Sequence, residues 1–152
     1  MTVIILAGCG GSSAPKQHWA VVNGSGFRFQ APQGWKVAGG KAKAMAVHDS
    51  ELVQVATFPL VKRYDDALFD QVARELTVRM RAVAAQTGGQ VTGTSTVTAA
   101  GIRSHAYDVT VGDHVDQYTF VLRGKREYQL LCRRKSSSGD GFCKQLVSSF
   151  SI

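Results

Sequence analysis

The run Asp113-His114-Val115-Asp116 sets two carboxylates beside an imidazole, and His105 and Asp108 stand a few positions upstream. Carboxylate and imidazole groups can share a proton near neutral pH or hold a divalent cation, so their spacing asks whether the fold gathers them. If the segments 102 to 111 and 115 to 122 pair as a hairpin, Asp108, Asp113, His114 and Asp116 collect near one end, with His105 on the same strand as Asp108. A metal-dependent or acid/base enzyme built on that group is the alternative function of this chain. The plainer reading takes Gly112-Asp113 as ordinary turn chemistry at a polar hairpin end. It is preferred because the local catalytic signatures Gly-x-Ser-x-Gly, His-Glu-x-x-His and Gly-x-x-x-x-Gly-Lys are missing from the sequence. Gly139-Asp140-Gly141 reads as a helix cap rather than a phosphate cradle, since neither a third glycine nor a βαβ unit accompanies it. No catalytic residue, metal ligand or cofactor is therefore assigned.

The cysteines carry a different chemistry. Leu6-Ala7-Gly8-Cys9 ends an uncharged apolar run and resembles a bacterial lipobox, which implies diacylglyceryl transfer to the Cys9 thiol and cleavage before it. Residues 1 to 8 then read as a truncated lipoprotein signal segment. Residues 9 to 20, opening with Gly10-Gly11-Ser12-Ser13, read as a flexible tether. The competing reading makes residues 1 to 8 a short buried strand and Cys9 a free thiol. With Cys9 consumed by lipid, Cys132 and Cys143 remain as an even pair. In an oxidising compartment such a pair is more often a disulfide than a redox or zinc centre, and its spacing is not Cys-x-x-Cys. Two reduced core cysteines in a cytoplasmic protein is the reading it competes with.

Composition bounds the rest. The chain has 152 residues, 44% of them hydrophobic and 19% charged, which excludes a disordered or collagen-like polymer and fits one compact domain, residues 21 to 152. Eighteen Lys and Arg against eleven Asp and Glu leave a net charge of +7, a bias towards anionic surfaces. Arg123, Lys125, Arg126, Arg133, Arg134 and Lys135 could contact nucleic acid, but they divide between a turn and a strand end, and a lipoprotein outside the membrane meets little of it. An anionic membrane or envelope polymer beside the anchor is the better use of that charge, set against a merely solvated basic face. No apolar segment approaches the roughly 20 residues of a membrane span, so the lipid on Cys9 is the expected membrane contact.

Period and punctuation place the elements that would carry these groups. Phe27, Phe29 and Ala31 alternate with polar residues as in a half-buried strand stopped by Pro32, and Leu52 to Phe58 forms a second strand closed by Pro59. Leu68, Val72, Leu76, Met80 and Val83 recur every three or four residues. The spacing predicts an amphipathic helix over Asp65 to Gln86, capped by Asp65 and Asp66 and ended by Gly88-Gly89. Alternating runs over Val91–Thr98, Ile102–Val111, Val115–Leu122 and Arg126–Arg133, separated by Ala100-Gly101, Gly112-Asp113 and Gly124-Lys125, predict an antiparallel meander. A short helix over Asp140 to Ser149 closes the chain. The fold class is α+β, an antiparallel sheet of about six strands covered by one long helix and a C-terminal helix. A Cys132–Cys143 bridge would staple that last helix to the last strand.

Phe29-x-Ala31-Pro32-x-Gly34-Trp35-Lys36-Val37 near the start, Tyr128-x-Leu130-x-Cys132, and Ser149-Phe150-Ser151-Ile152 at the end resemble the PsbP-like superfamily. That group includes photosystem extrinsic proteins and many bacterial lipoproteins. The resemblance covers about residues 26 to 152 and implies the fold, together with a binding, assembly or accessory role rather than catalysis. The expected function is a lipid-anchored extracytoplasmic binding or accessory module of the bacterial cell envelope, its partner an unidentified envelope protein or glycan.

Overall fold

The computed structural model of the protein describes residues 16–152. In chain order the elements are β1 (Trp19–Gly24), β2 (Phe27–Pro32), β3 (Lys36–Gly39), β4 (Lys43–His48), β5 (Glu51–Pro59), α1 (Phe69–Thr87), β6 (Gln90–Ala99), β7 (Ile102–Val111), β8 (His114–Arg123), β9 (Arg126–Lys135) and α2 (Gly141–Ser149). Seven strands form one antiparallel sheet in the order β3-β4-β5-β9-β8-β7-β6, while β1 and β2 pair as a separate hairpin. The predicted meander and both helices are present. Three expectations about the strands are corrected. The sheet has seven strands rather than about six, because β3 has only four residues and β4 carries alanine at its buried positions 44 and 46, where the strand signal is faint. The aromatic strand Phe27–Pro32 lies in the hairpin and not in the sheet. Trp19 and Ala20, placed by the sequence at the end of the tether, are the first residues of β1.

The alternation of each strand sorts side chains between two cores. On one face Val53, Val55, Val121, Tyr128, Leu130 and Cys132 meet the hairpin through Val22, Phe27, Phe29 and Ala31, and meet α2 through Cys143 and Leu146. Ala44 and Ala46 on β4 are fully buried there, their small side chains leaving room for the hairpin's rings. On the other face Tyr107, Phe120 and Leu122 pack against Leu76 and Met80 of α1.

Local chemistry fixes α1. Asp65 Oδ1 accepts a hydrogen bond from Ala67 N at 2.8 Å, capping a 3-10 turn, Asp66–Leu68, that leads into the helix. Gly88 ends it in the left-handed region at φ 72°, a conformation that costs glycine little.

The chain enters the domain at one end of the sheet, where Gln33 N donates to His18 O at 2.9 Å. The β4–β5 and β7–β8 turns share that end. The opposite end gathers the β3–β4, β6–β7 and β8–β9 turns, the β5–α1 loop and the hairpin turn, whose Ser25 N donates to Lys41 O at 3.2 Å.

Candidate functional site

The group read from the sequence is divided by the sheet. His114 and Asp116 lie on the α1 face of β8, the face that also carries Tyr118 and Phe120. Asp108 falls between Tyr107 and Val109 on β7, and Tyr107 reaches α1 by donating to Ala73 O, so alternation turns Asp108 to the opposite face. There it lies against Gly93, opposite it in the ladder, whose missing Cβ would come within 3.1 Å of Asp108 Oδ2. Partial burial raises its carboxyl above the usual range. Arg134 opposes that shift and Asp140 adds to it.

Asp116 is engaged rather than free. Arg133, its register partner on β9, donates from Nε to Oδ1 at 2.7 Å and from Nη2 to Oδ2 at 2.8 Å, so both carboxylate oxygens are held by one guanidinium. That bond also raises the Arg133 pKa, and burial raises that of the neighbouring Tyr118 hydroxyl, with the Asp116 charge adding to it. His114 Nε2 stands 4.0 Å from Asp116 Oδ1, and its Nδ1 is 3.7 Å from Asp113 Oδ1 on the exposed turn. His105 shares the α1 face but pairs with Phe120, far along the ladder from His114. Its Nε2 lies 3.0 Å from Phe69 O, and its ring stacks on Phe69 with centroids 3.8 Å apart, so it braces the start of α1. Among the described residues no group of three or more His, Cys, Asp or Glu is placed to hold a metal ion. The structure therefore brings Asp113, His114 and Asp116 together at the β7–β8 turn, with Asp116 committed to Arg133, and separates Asp108 from them on the opposite face.

Cys132 on β9 and Cys143 on α2 are bonded, with Cα atoms 5.4 Å apart, and both are buried. The bridge joins the last helix to the central part of the sheet, as the sequence expects. Cys9, the lipidation residue read from the sequence, lies outside the described residues.

One recess escaped the sequence reading. The β5–α1 loop stands off the start of α1 and leaves an open recess of about 510 Å³, with Leu60, Val61, Tyr64, Leu68, Val72, Leu76 and Leu122 as its apolar lining and Lys62, Arg63, Gln71 and Glu75 as its polar lining. At its inner wall Arg79 Nη2 donates to Glu127 Oε1 at 2.6 Å, and the guanidinium sits 4.7 Å from the centre of the Phe120 ring. Glu127 is buried by the sheet and by this partner. The available signal was a carboxylate on the α1-facing side of β9, an expensive placement unless a cation from another element meets it.

No family model matches the chain, and no curated protein matches it by sequence. Solved structures do. The solution structure of cyanobacterial PsbP (CyanoP) from Synechocystis sp. PCC 6803 superposes with a TM-score of 0.61 at 15% identity, over 97% of this chain and 98% of that one. A crystal structure of a protein from Bacteroides thetaiotaomicron VPI-5482 matches with a TM-score of 0.55 at 9% identity, over 84% of this chain and 45% of the other. At these identities the likeness is one of fold, and the chain has the PsbP-like fold.

Proposed function

We propose that this PsbP-like domain is a lipid-anchored extracytoplasmic binding or accessory module of the bacterial cell envelope, held by Cys9 and engaging an envelope protein or glycan. The observation that carries the binding reading is the recess between the β5–α1 loop and α1, about 510 Å³ with an apolar lining, polar groups at Lys62, Arg63, Gln71 and Glu75, and an ion pair at its inner wall. Apolar lining with a few convergent polar groups is the composition of a ligand or side-chain pocket. The Cys132–Cys143 bond supports an oxidising compartment. Among the described residues no helix is long and apolar enough to cross a membrane.

Two measurements test the reading. Mass spectrometry of the mature amino terminus, from the gene expressed in its bacterial host, should find Cys9 first and acylated. An unmodified Cys9 within an intact chain removes the anchor. A photo-crosslinker at Tyr64, in the recess, should capture a stoichiometric envelope protein or glycan that one at His48 does not. Equal capture at both positions removes the site.

A further inference from the structure

The end of the sheet opposite the chain entry holds a concentration of uncompensated positive charge. Lys62 and Arg63 on the β5–α1 loop, Arg123, Lys125 and Arg126 at the β8–β9 turn, and Lys41 at the β3–β4 turn are all exposed. None of them forms an ion pair among the described residues. Of the acids nearby, Asp66 accepts from Arg103 at 3.2 Å and Glu127 is taken by Arg79 on the sheet face, while Asp65, Asp70 and Glu75 have no cation partner among the described residues; the six cations outnumber these three, and the balance at this end stays positive.

The two basic segments are tied together. Leu60 N donates to Lys125 O at 2.9 Å and Tyr64 N to Gly124 O at 2.7 Å, so the β5–α1 loop is an arch pinned at both feet to the β8–β9 turn. Leu60 and Tyr64 line the recess, and Val61, Lys62 and Arg63 between them form its exposed rim. Val61, at the crest, is 97% exposed, and Phe58 and Pro59 at the near foot are exposed as well. A projecting apolar crest ringed by cations matches a surface that offers anionic groups outside and hydrocarbon beneath. The cations spread from the β3–β4 turn to the β8–β9 turn. A fluid surface, whose headgroups rearrange to meet them, suits that spread better than one rigid acidic protein face.

We propose that this end of the domain docks on an anionic lipid bilayer, with Val61 entering the boundary between headgroups and acyl chains and Lys62, Arg63, Arg123, Lys125 and Arg126 meeting the headgroup phosphates. The contact goes beyond the proposed function and does not depend on Cys9 being acylated, so the test uses the full chain with Cys9→Ser. It is co-sedimentation with phosphatidylcholine vesicles, with and without phosphatidylglycerol. The chain should sediment only when phosphatidylglycerol is present and should be released as salt is raised. The pure phosphatidylcholine vesicles report any contribution from the apolar residues 3 to 7. The double variant Lys62→Gln/Arg63→Gln should bind about 25-fold more weakly, at about fivefold per cation. Val61→Asp should also weaken binding, and Val61→Trp should strengthen it with a blue shift of the added fluorescence. All three changes lie on an exposed loop, and unchanged far-ultraviolet circular dichroism separates lost binding from lost fold. Failure to sediment with phosphatidylglycerol, or wild-type binding by the double variant or by Val61→Asp, overturns the proposal. Binding to polyglutamate by a chain that ignores the vesicles overturns it in favour of an acidic protein partner.

Discussion

Asp116 and Arg133 make an ion pair whose two halves are unequally buried, the carboxylate side chain at 3% exposure and the guanidinium at 35%. Removing the cation strands a desolvated charge, whereas removing the carboxylate leaves a cation that reaches water. Arg133→Met should therefore cost about 3 kcal/mol of folding stability and Asp116→Asn about 1 kcal/mol, measured by urea unfolding. Equal costs would mean that the two groups share one environment. Asp108 gives a pH-dependent counterpart. Its folded pKa is raised above the unfolded value of about 3.9. The folded state thus binds its proton more tightly, and this contribution to stability is present at low pH and lost as pH rises through the raised pKa. Asp108→Asn removes that loss, so the variant should gain on the wild type as pH rises from below the unfolded value of about 3.9 through the raised one. A gain that shrinks over this range would contradict the raised value. Both carboxylates were visible in the sequence as chemistry-bearing residues. Their separation onto opposite faces was not, because one residue of register decides the face.

The β1–β2 hairpin is the element whose place the sequence misjudged. Its alternation, with Phe27 and Phe29 inward, reads correctly as a strand. The partner of that strand is β1, whose Trp19-Ala20-Val21-Val22 lacks a clean period, and whose Val21 faces outward at 57% exposure. Phe29, at 1% exposure, is the hairpin's principal anchor on the sheet. Phe29→Ala should cost about 3–5 kcal/mol and open the hairpin to proteolysis between Gly24 and Phe27, read by limited digestion and peptide mapping. Gly24 belongs to the same device, because the Phe27 ring lies where a Cβ at position 24 would stand. On β4 the same physics hides an element in another way. Alanine fills the inward positions because the hairpin needs the space, and alanine carries little strand signal.

At the scale of the molecule the two cores share one sheet. Phe120 on one face and Val121 on the other are consecutive residues of β8, and both are fully buried. The faces should therefore unfold together. Both tryptophans, Trp19 and Trp35, lie on or beside the hairpin, and most of the helical signal comes from α1 on the far face. Urea unfolding followed by tryptophan fluorescence and by far-ultraviolet circular dichroism should give coincident transitions. Cys132→Ala/Cys143→Ala should shift both equally, by roughly 2–3 kcal/mol, since the bridge closes a short loop in the unfolded chain. An earlier fluorescence transition would show the hairpin and α2 to be a separate cooperative unit.

Residue period and turn chemistry suffice, without tertiary information, to place the meander β6 to β9, helix α1 with its Gly88 stop, and α2, because each rests on interactions between near neighbours in the chain; the Asp65 cap serves the 3-10 turn instead, and α1 starts at Phe69, four residues later than the spacing predicts. The 132–143 bridge was legible from the cysteine count only with Cys9 set aside as the lipidation residue. The tertiary structure alone decided which strands adjoin which, the pairing of β5 with β9 and the separation of the hairpin from the sheet, since those contacts join distant segments through shape and volume. It also decided the functional surfaces. The recess exists because the β5–α1 loop is pinned to a turn sixty or more residues later in the chain. The basic end exists because five separate turns and loops converge there, although none of them is strongly basic over a long run. Charge and hydrophobicity are properties of residues, but a patch or a pocket is a property of their distances, and those are set only when the chain closes on itself.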